Sequence, residues 1–157
     1  MIKKVLGIVM ISAMLGLTGC GQEAKNPAEY NNAVVTVING NDTHMAEMNT
    51  AMAAGDYVKA EQVRSNWEKA LEADIKKVEG LGDFKGDDNF RKAVLEGLNS
   101  YQKIVKETYP KLIELRKNKV NDPAKENDLL DQINNAFENA ANKVNAASGE
   151  FEAKYNK

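Results

Sequence analysis

Four stretches of this chain place apolar side chains in alternating steps of three and four residues, the spacing that lines one face of a helix. The last is the most regular: Leu130, Ile133, Phe137, Ala140, Val144, Ala147 and Phe151. The third runs Phe90, Val94, Leu98, Tyr101, Val105, Leu112 and Leu115, and the second Ala60, Val63, Trp67, Leu71, Ile75 and Val78. The first, Val34, Ile38, Met45, Met48 and Met52, keeps the alternation if Asn41 fills its gap. Short polar connections join the four. The pattern predicts an all-α, antiparallel up-down-up-down four-helix bundle.

The punctuation agrees with the periodicity. Asn26-Pro27-Ala28-Glu29 sets a capping side chain before a proline at the first helical position, with Glu three residues past the cap. Asp122-Pro123 repeats the device, and Gly55-Asp56 joins a helix-ending glycine to the next cap. Asp87, after the stretch Gly80–Gly86, reads as a fourth start. Two places fit less well. Ala33–Ile38 is β-branched and runs into Asn39-Gly40, so a strand competes there with a helix kinked at Gly40. Pro110 lies inside the third stripe, where its missing N–H predicts a kink near Thr108.

Ahead of the helices stands a different pattern. Lys3 and Lys4 precede an apolar run, Val5 to Leu17, and Leu17-Thr18-Gly19-Cys20 closes it. A run of 13 residues is well short of the roughly 20 that span a bilayer as a helix. Basic start, short apolar core and small residues are the marks of a secretory signal peptide. The Leu-Thr-Gly-Cys site resembles the lipobox of bacterial lipoproteins. That resemblance implies cleavage between Gly19 and Cys20, a diacylglycerol on the Cys20 thiol, and acylation of the new amino group. Cys20 is the only cysteine in the chain, so it has no internal disulfide partner, and lipidation accounts for it. The expected organisation is a signal peptide over 1–19, a lipidated cysteine and linker over 20–26, and the bundle over 27–157. Residues 21–26 extend at most about 20 Å, which keeps the bundle close to the membrane. Gly21 in place of aspartate, by resemblance to enteric sorting, points to the outer membrane.

Charge narrows the partners. Without Lys3 and Lys4, 19 of the 21 basic residues remain against 23 acidic ones, a net charge of −4. That balance argues against nucleic acid and against anionic headgroups as general partners.

Candidate chemistry is sparse. His44, the only histidine, shares a helical face with Met45, Met48 and Met52, a set of soft donors suited to copper(I). The same methionines also lie on the apolar stripe, where Met fills irregular gaps; core packing is the favoured reading and copper binding the alternative. One histidine cannot build the paired Glu-x-x-His sites of di-metal bundles, nor a tetrahedral zinc site. Ser65, Ser100 and Ser148 lack a nucleophile setting, and no phosphate-cradling glycine loop occurs. The chain therefore reads as a non-enzyme with no cofactor. Asn41-Asp42-Thr43 matches a glycosylation acceptor, but Asn41 better suits a polar contact in the bundle seam that helps fix register. The first helix carries Asn and Thr at most of its polar positions; this low-charge face reads as a more buried helix, with a partner contact as the alternative.

One segment has a more particular likeness. Tyr30-Asn31-Asn32, then Ala60 to Trp67, and then Leu81-Gly82-Asp83-Phe84-Lys85-Gly86-Asp87-Asp88-Asn89-Phe90 and Tyr101 together resemble a group of small, uncharacterised bacterial surface lipoproteins. The likeness spans roughly residues 27–117, and Asp-Phe-x-Gly-Asp-x-x-Phe is its most distinctive piece. It implies a helical envelope or surface protein and carries no catalytic or ligand residue across. Physically, Phe84 and Phe90 are expected to fold the loop back onto the bundle end, with Gly86 making the turn and Asp87 the cap. The expected protein is a lipid-anchored binding or structural module of the cell envelope, held to a membrane through Cys20 and facing an unknown protein or envelope partner.

Overall fold

A computed structural model describes residues 26–155, so the signal sequence, Gly19 and Cys20 lie outside the described residues. The described chain is helical: α1 (Pro27–Asn39), α2 (Asn41–Ala54), α3 (Tyr57–Gly80), α4 (Asn89–Lys103), a π-helical turn (Ile104–Thr108), α5 (Tyr109–Lys117) and α6 (Pro123–Tyr155). Across Gly40 and across the π-turn the helix resumes at once, so these elements form four helical rods. Among the described residues the only β pairing is one isolated bridge, Phe84 to Asp87. The segment Ala33–Ile38 is helix, because Val34, Val37 and Ile38 are buried on one side of it.

Caps act as the punctuation predicts at three of four starts. Asn26 accepts from the Glu29 N–H at 2.9 Å, Asp56 from Lys59 at 2.9 Å and Asp122 from Lys125 at 3.0 Å. Gly55 closes α2 with φ +68°, a conformation costly for any residue with a Cβ. The fourth start differs. Asp88, not Asp87, precedes α4 and makes no side-chain cap bond; Asp87, one residue earlier, accepts the N–H of Asn89, the first residue of α4, on one carboxylate oxygen at 3.1 Å and turns the other toward α6, as shown below. At Gly40 the interruption is a single residue that keeps right-handed helical angles, φ −56° and ψ −23°.

The disturbance expected at Pro110 takes the form of the π-turn. Here the Tyr109 N–H reaches the Ile104 carbonyl, five residues back. In that register the Val105 carbonyl would bond residue 110, which is proline and has no N–H. Arg64 of α3 supplies a donor instead, with Nη1 3.5 Å from the Val105 oxygen. The same guanidinium holds Glu61 at 2.6 Å and Glu68 at 2.9 Å, and Lys106 of the turn pairs with Glu72 at 3.1 Å. A proline in one helix is thus matched by an arginine in its neighbour.

The core follows the four stripes closely: Val34, Ile38, Met48, Trp67, Leu71, Val94, Leu98, Ile133 and Phe137 are all at most 1% exposed. Met45, Ile75 and Ala147 sit at its margin. The stripes omit Tyr30, Val37, Ile104, Tyr109, Ile113 and Leu129, which are buried too. The π-turn explains part of the omission, because its extra residue rotates Tyr109 and Ile113 inward. Gly97 marks a close approach between helices. A Cβ there would meet Ile38 Cδ1 at 3.1 Å, Ala140 Cβ at 3.5 Å and Val144 Cγ2 at 3.6 Å. A larger side chain must push α1 and α6 off α4, so Gly97→Leu is expected to destabilise by about 1–3 kcal/mol, read as a lower urea midpoint at unchanged m-value.

Candidate functional site

The most elaborate arrangement of side chains is built on the Gly80–Asn89 connection. The Asp83 carboxylate accepts the Gly86 N–H at 2.7 Å and so bends the chain before the turn. Lys85 (φ +55°) and Gly86 (φ +82°) both adopt left-handed angles, the demand of the tightest two-residue hairpin turn. Phe84 and Asp87 then exchange both backbone bonds, at 2.8 and 3.0 Å. Gly86 makes the turn as expected, with Lys85 sharing the strain.

This hairpin clamps the helix ends around it. Phe84 is 3% exposed and packs on Tyr30 of α1 (5.2 Å between ring centroids) and on Phe151 (5.2 Å) and Tyr155 (4.9 Å) of α6. Phe90 joins through Phe151 at 5.6 Å. The Tyr30 hydroxyl donates to the Gly82 carbonyl at 2.9 Å, and burial raises its pKa. Next to it, Asn31 donates to Glu152 at 2.9 Å and accepts from Ser148 at 3.2 Å, although it is only 4% exposed. The expectation that Phe84 and Phe90 fold the loop onto the bundle end is met in full.

Asp87 is the polar half of the clamp. Its Oδ2 accepts from Lys154 Nζ at 2.6 Å and from the Tyr155 hydroxyl at 3.3 Å, and its Oδ1 from the Asn89 N–H at 3.1 Å. The Lys154 ammonium, ahead of that backbone bond, holds the carboxyl below its ordinary value of 3.8. A lowered folded-state pKa stabilises the protein above the unfolded pKa, and that contribution is lost as pH falls through the folded value. Melting temperature should therefore be lower in Asp87→Asn than in the parent at pH 7, with the gap closing below about pH 4; a gap constant down to pH 2.5 would remove Asp87 from the clamp. Two shallow clefts, about 210 Å³ and 80 Å³, flank the ion pair.

A second polar group lies in the core at the α1–α2 junction. Asn41 is fully buried; it accepts from Trp67 Nε1 at 2.8 Å and donates to the Val37 carbonyl and to Asp74 Oδ2, both at 3.2 Å. Burial raises the Asp74 pKa, and the Asn41 amide opposes it. Asn41 is thus the seam contact expected of it, and its burial shields the would-be glycosylation nitrogen. Asp74 as its partner was not legible, since no spacing rule links residues on different helices.

The His44, Met45, Met48, Met52 set falls around the same region. Met48 and Met52 are buried in the hydrophobic core, Met45 packs at its edge, and the His44 ring stacks on Trp67 at 6.2 Å between centroids. Among the described residues, no group of three or more His, Cys, Asp or Glu side chains is placed to hold a metal ion. No described helix is long and apolar enough to cross a membrane. Comparison with protein-family models, with curated proteins and with solved structures finds no match for this chain.

Proposed function

We propose that this protein is a lipid-anchored module of the bacterial cell envelope, non-catalytic, whose four rods run up-down-up-down and offer their surface to a binding partner. The observation that carries the reading is the position of Cys20: it closes the Leu-Thr-Gly-Cys site six residues before Asn26, the cap of α1. Acyl chains on Cys20 hold the protein to a membrane durably when two or more are present. The alternating direction is supported by the contacts. The start of α1 meets the hairpin after α3 and the end of α6, while Trp67 and Glu72 of α3 face Tyr109 and Lys106 in reversed order.

Function by presentation follows from this placement. The clamped end, where α1 begins, lies within about 20 Å of the lipid, and the clamp keeps the helices from splaying there. The resemblance of the clamp motif to small surface lipoproteins supports the same reading, and the absence of aspartate at position 21 supports an outer-membrane location. The test is fractionation of cells producing the full chain. The parent should sediment with membranes and take up labelled palmitate, and Cys20→Ser should do neither; a Cys20→Ser chain that stays labelled and membrane-bound would refute the anchor. Protease shaving of intact cells then decides between surface and periplasm.

The copper reading is the weaker one, because Met48 and Met52 are occupied in the core. Cu(I) binding by the full chain that falls on His44→Ala would revive it.

A further inference from the structure

The first rod and α6 run side by side but do not stay together. α1 packs directly on α6, where Asn31 bonds Glu152 and Ser148. α2 instead packs on α3 and stands off from α6. Helical spacing carries both flanks of the resulting seam onward from the Asn31 contact. On the first rod, Val35, Asp42 and Asn49 follow Asn31 at steps of four, seven and seven, and Gly40 keeps the helical angles that preserve this phase. On α6, Ala141 and Asn134 precede Ser148 at steps of seven, and Glu138 lies between them on the same flank.

The seam is rich in acceptors and lacks donors. Asn49 Oδ1 and Asn134 Oδ1 are buried without a hydrogen-bond partner among the described residues. Burial raises the Asp42 pKa, and no cation or hydrogen bond offsets it. Beneath them lies Tyr101 of α4, only 3% exposed, its ring edge-on to Phe137 of α6 at 5.0 Å. Its hydroxyl has no partner among the described residues and faces Asp42, whose charge adds to burial in pushing the pKa up to about 12. Neither flank supplies a cation. The described chain from Asn26 to Val58 contains no Lys or Arg. The three lysines of α6, Lys125, Lys143 and Lys154, share the other flank of that helix, where Lys143 pairs with Glu96 and Lys154 with Asp87. Buried polar groups are ordinarily paired, so this set calls for donors from outside the chain.

We infer that the α2–α6 seam docks a basic segment of a partner protein, one Lys or Arg side chain of which sits between Asp42 and Glu138 over the Tyr101 hydroxyl. The two kinds of acceptor match the two kinds of donor on such a segment. Carboxylates suit its cationic side chains, and the neutral oxygens of Asn49 and Asn134 suit the N–H groups of its backbone. A polyamine would supply the cations without the backbone donors. Asp42 and Asn49 are about 10 Å apart along their rod, the length of roughly three extended residues. The same carboxylates, with no lysine or arginine beside them, repel anionic lipid and polymer surfaces. The inference deepens the presentation reading and rests on it for the existence of a protein partner.

Titration of the full-length protein in a neutral detergent tests it, with a fluorescent nonapeptide carrying arginine at alternate positions as the probe. Anisotropy at physiological salt should show saturable binding. Affinity is expected to fall about tenfold in Asp42→Asn, Glu138→Gln, the loss of two ion pairs, and about threefold in Tyr101→Phe. Glu107→Gln, Glu114→Gln makes the same charge change at exposed positions of the π-turn and α5, and should leave affinity unaltered. No saturable binding, equal loss in the two double variants, or spermine binding as tightly as the peptide each overturns the inference. A benzophenone at exposed Ala46 gives a second readout without altering the acceptors: it should capture the peptide, and one at Glu107 should not. Equal capture at both positions overturns the inference as well. Cys20→Ser separates the two readings. A membrane-bound parent that does not bind the peptide refutes the seam alone, and a parent that binds the peptide but never reaches the membrane refutes the anchor alone.

Discussion

Trp67→Ala is expected to cost about 3–5 kcal/mol of folding stability, seen as a melting temperature roughly 10–20 °C lower for a domain of this size. The ring is fully buried among His44, Tyr109 and Phe137, with centroids 6.2, 5.9 and 6.1 Å away. Truncation removes this packing and also strands Asn41 Oδ1, which then has no donor. The polar part can be isolated. Trp67→Phe keeps much of the volume but leaves the buried amide oxygen unpaired, at about 1–3 kcal/mol. Adding Asn41→Leu removes the orphaned amide, and the double variant should recover part of that loss, because deleting both partners is cheaper than deleting one. Strict additivity across the cycle would mean that the Trp67–Asn41 bond contributes nothing.

Phe84→Ala should have the next largest effect, about 3–5 kcal/mol, and with a distinct character. Phe84 links three chain segments that are remote in sequence: Tyr30, the hairpin itself, and Phe151 with Tyr155. Its loss should release the first turn of α1 and the last turn of α6 together. Hydrogen exchange of the amides around Tyr30 and around Phe151–Tyr155 is then expected to accelerate, while the amides near Trp67 keep the protection set by global unfolding. Uniform acceleration throughout would make Phe84 an ordinary core residue and remove the reason to regard the hairpin as a local clamp.

The clamp also bears on the proposed anchoring. Under that proposal, a short linker would transmit motion of the bundle end to the lipid, and loosening at Tyr30 would lengthen the tether by unwinding α1. The stability of the hairpin would then be coupled to the position of the domain over the membrane.

Much of this architecture is legible in the chain before it folds. The alternation of three and four steps marks the helices because a 3.6-residue turn returns a side chain to the same face, and burial of that face is what stabilises each helix. Asn26, Gly55-Asp56 and Asp122-Pro123 mark boundaries because unsatisfied backbone groups at helix ends need local partners, and local partners are adjacent in sequence. Gly86 in the Asp-Phe-x-Gly-Asp motif declares a turn for the same reason.

What only the tertiary structure decided are the partnerships between remote segments. Asp87 reads as a cap because its neighbours suit one, and one oxygen does take the Asn89 N–H, yet the other binds Lys154 and Tyr155 on α6. Asn41 announces a polar seam contact, but Trp67 and Asp74 become its partners only when α2 and α3 pack. Pro110 announces a disturbance; the π-turn, and the arginine on another helix that serves its bare carbonyl, arise from packing. Local backbone requirements are written in neighbouring residues, whereas a buried polar or charged group is satisfied by whichever helix the hydrophobic stripes bring beside it.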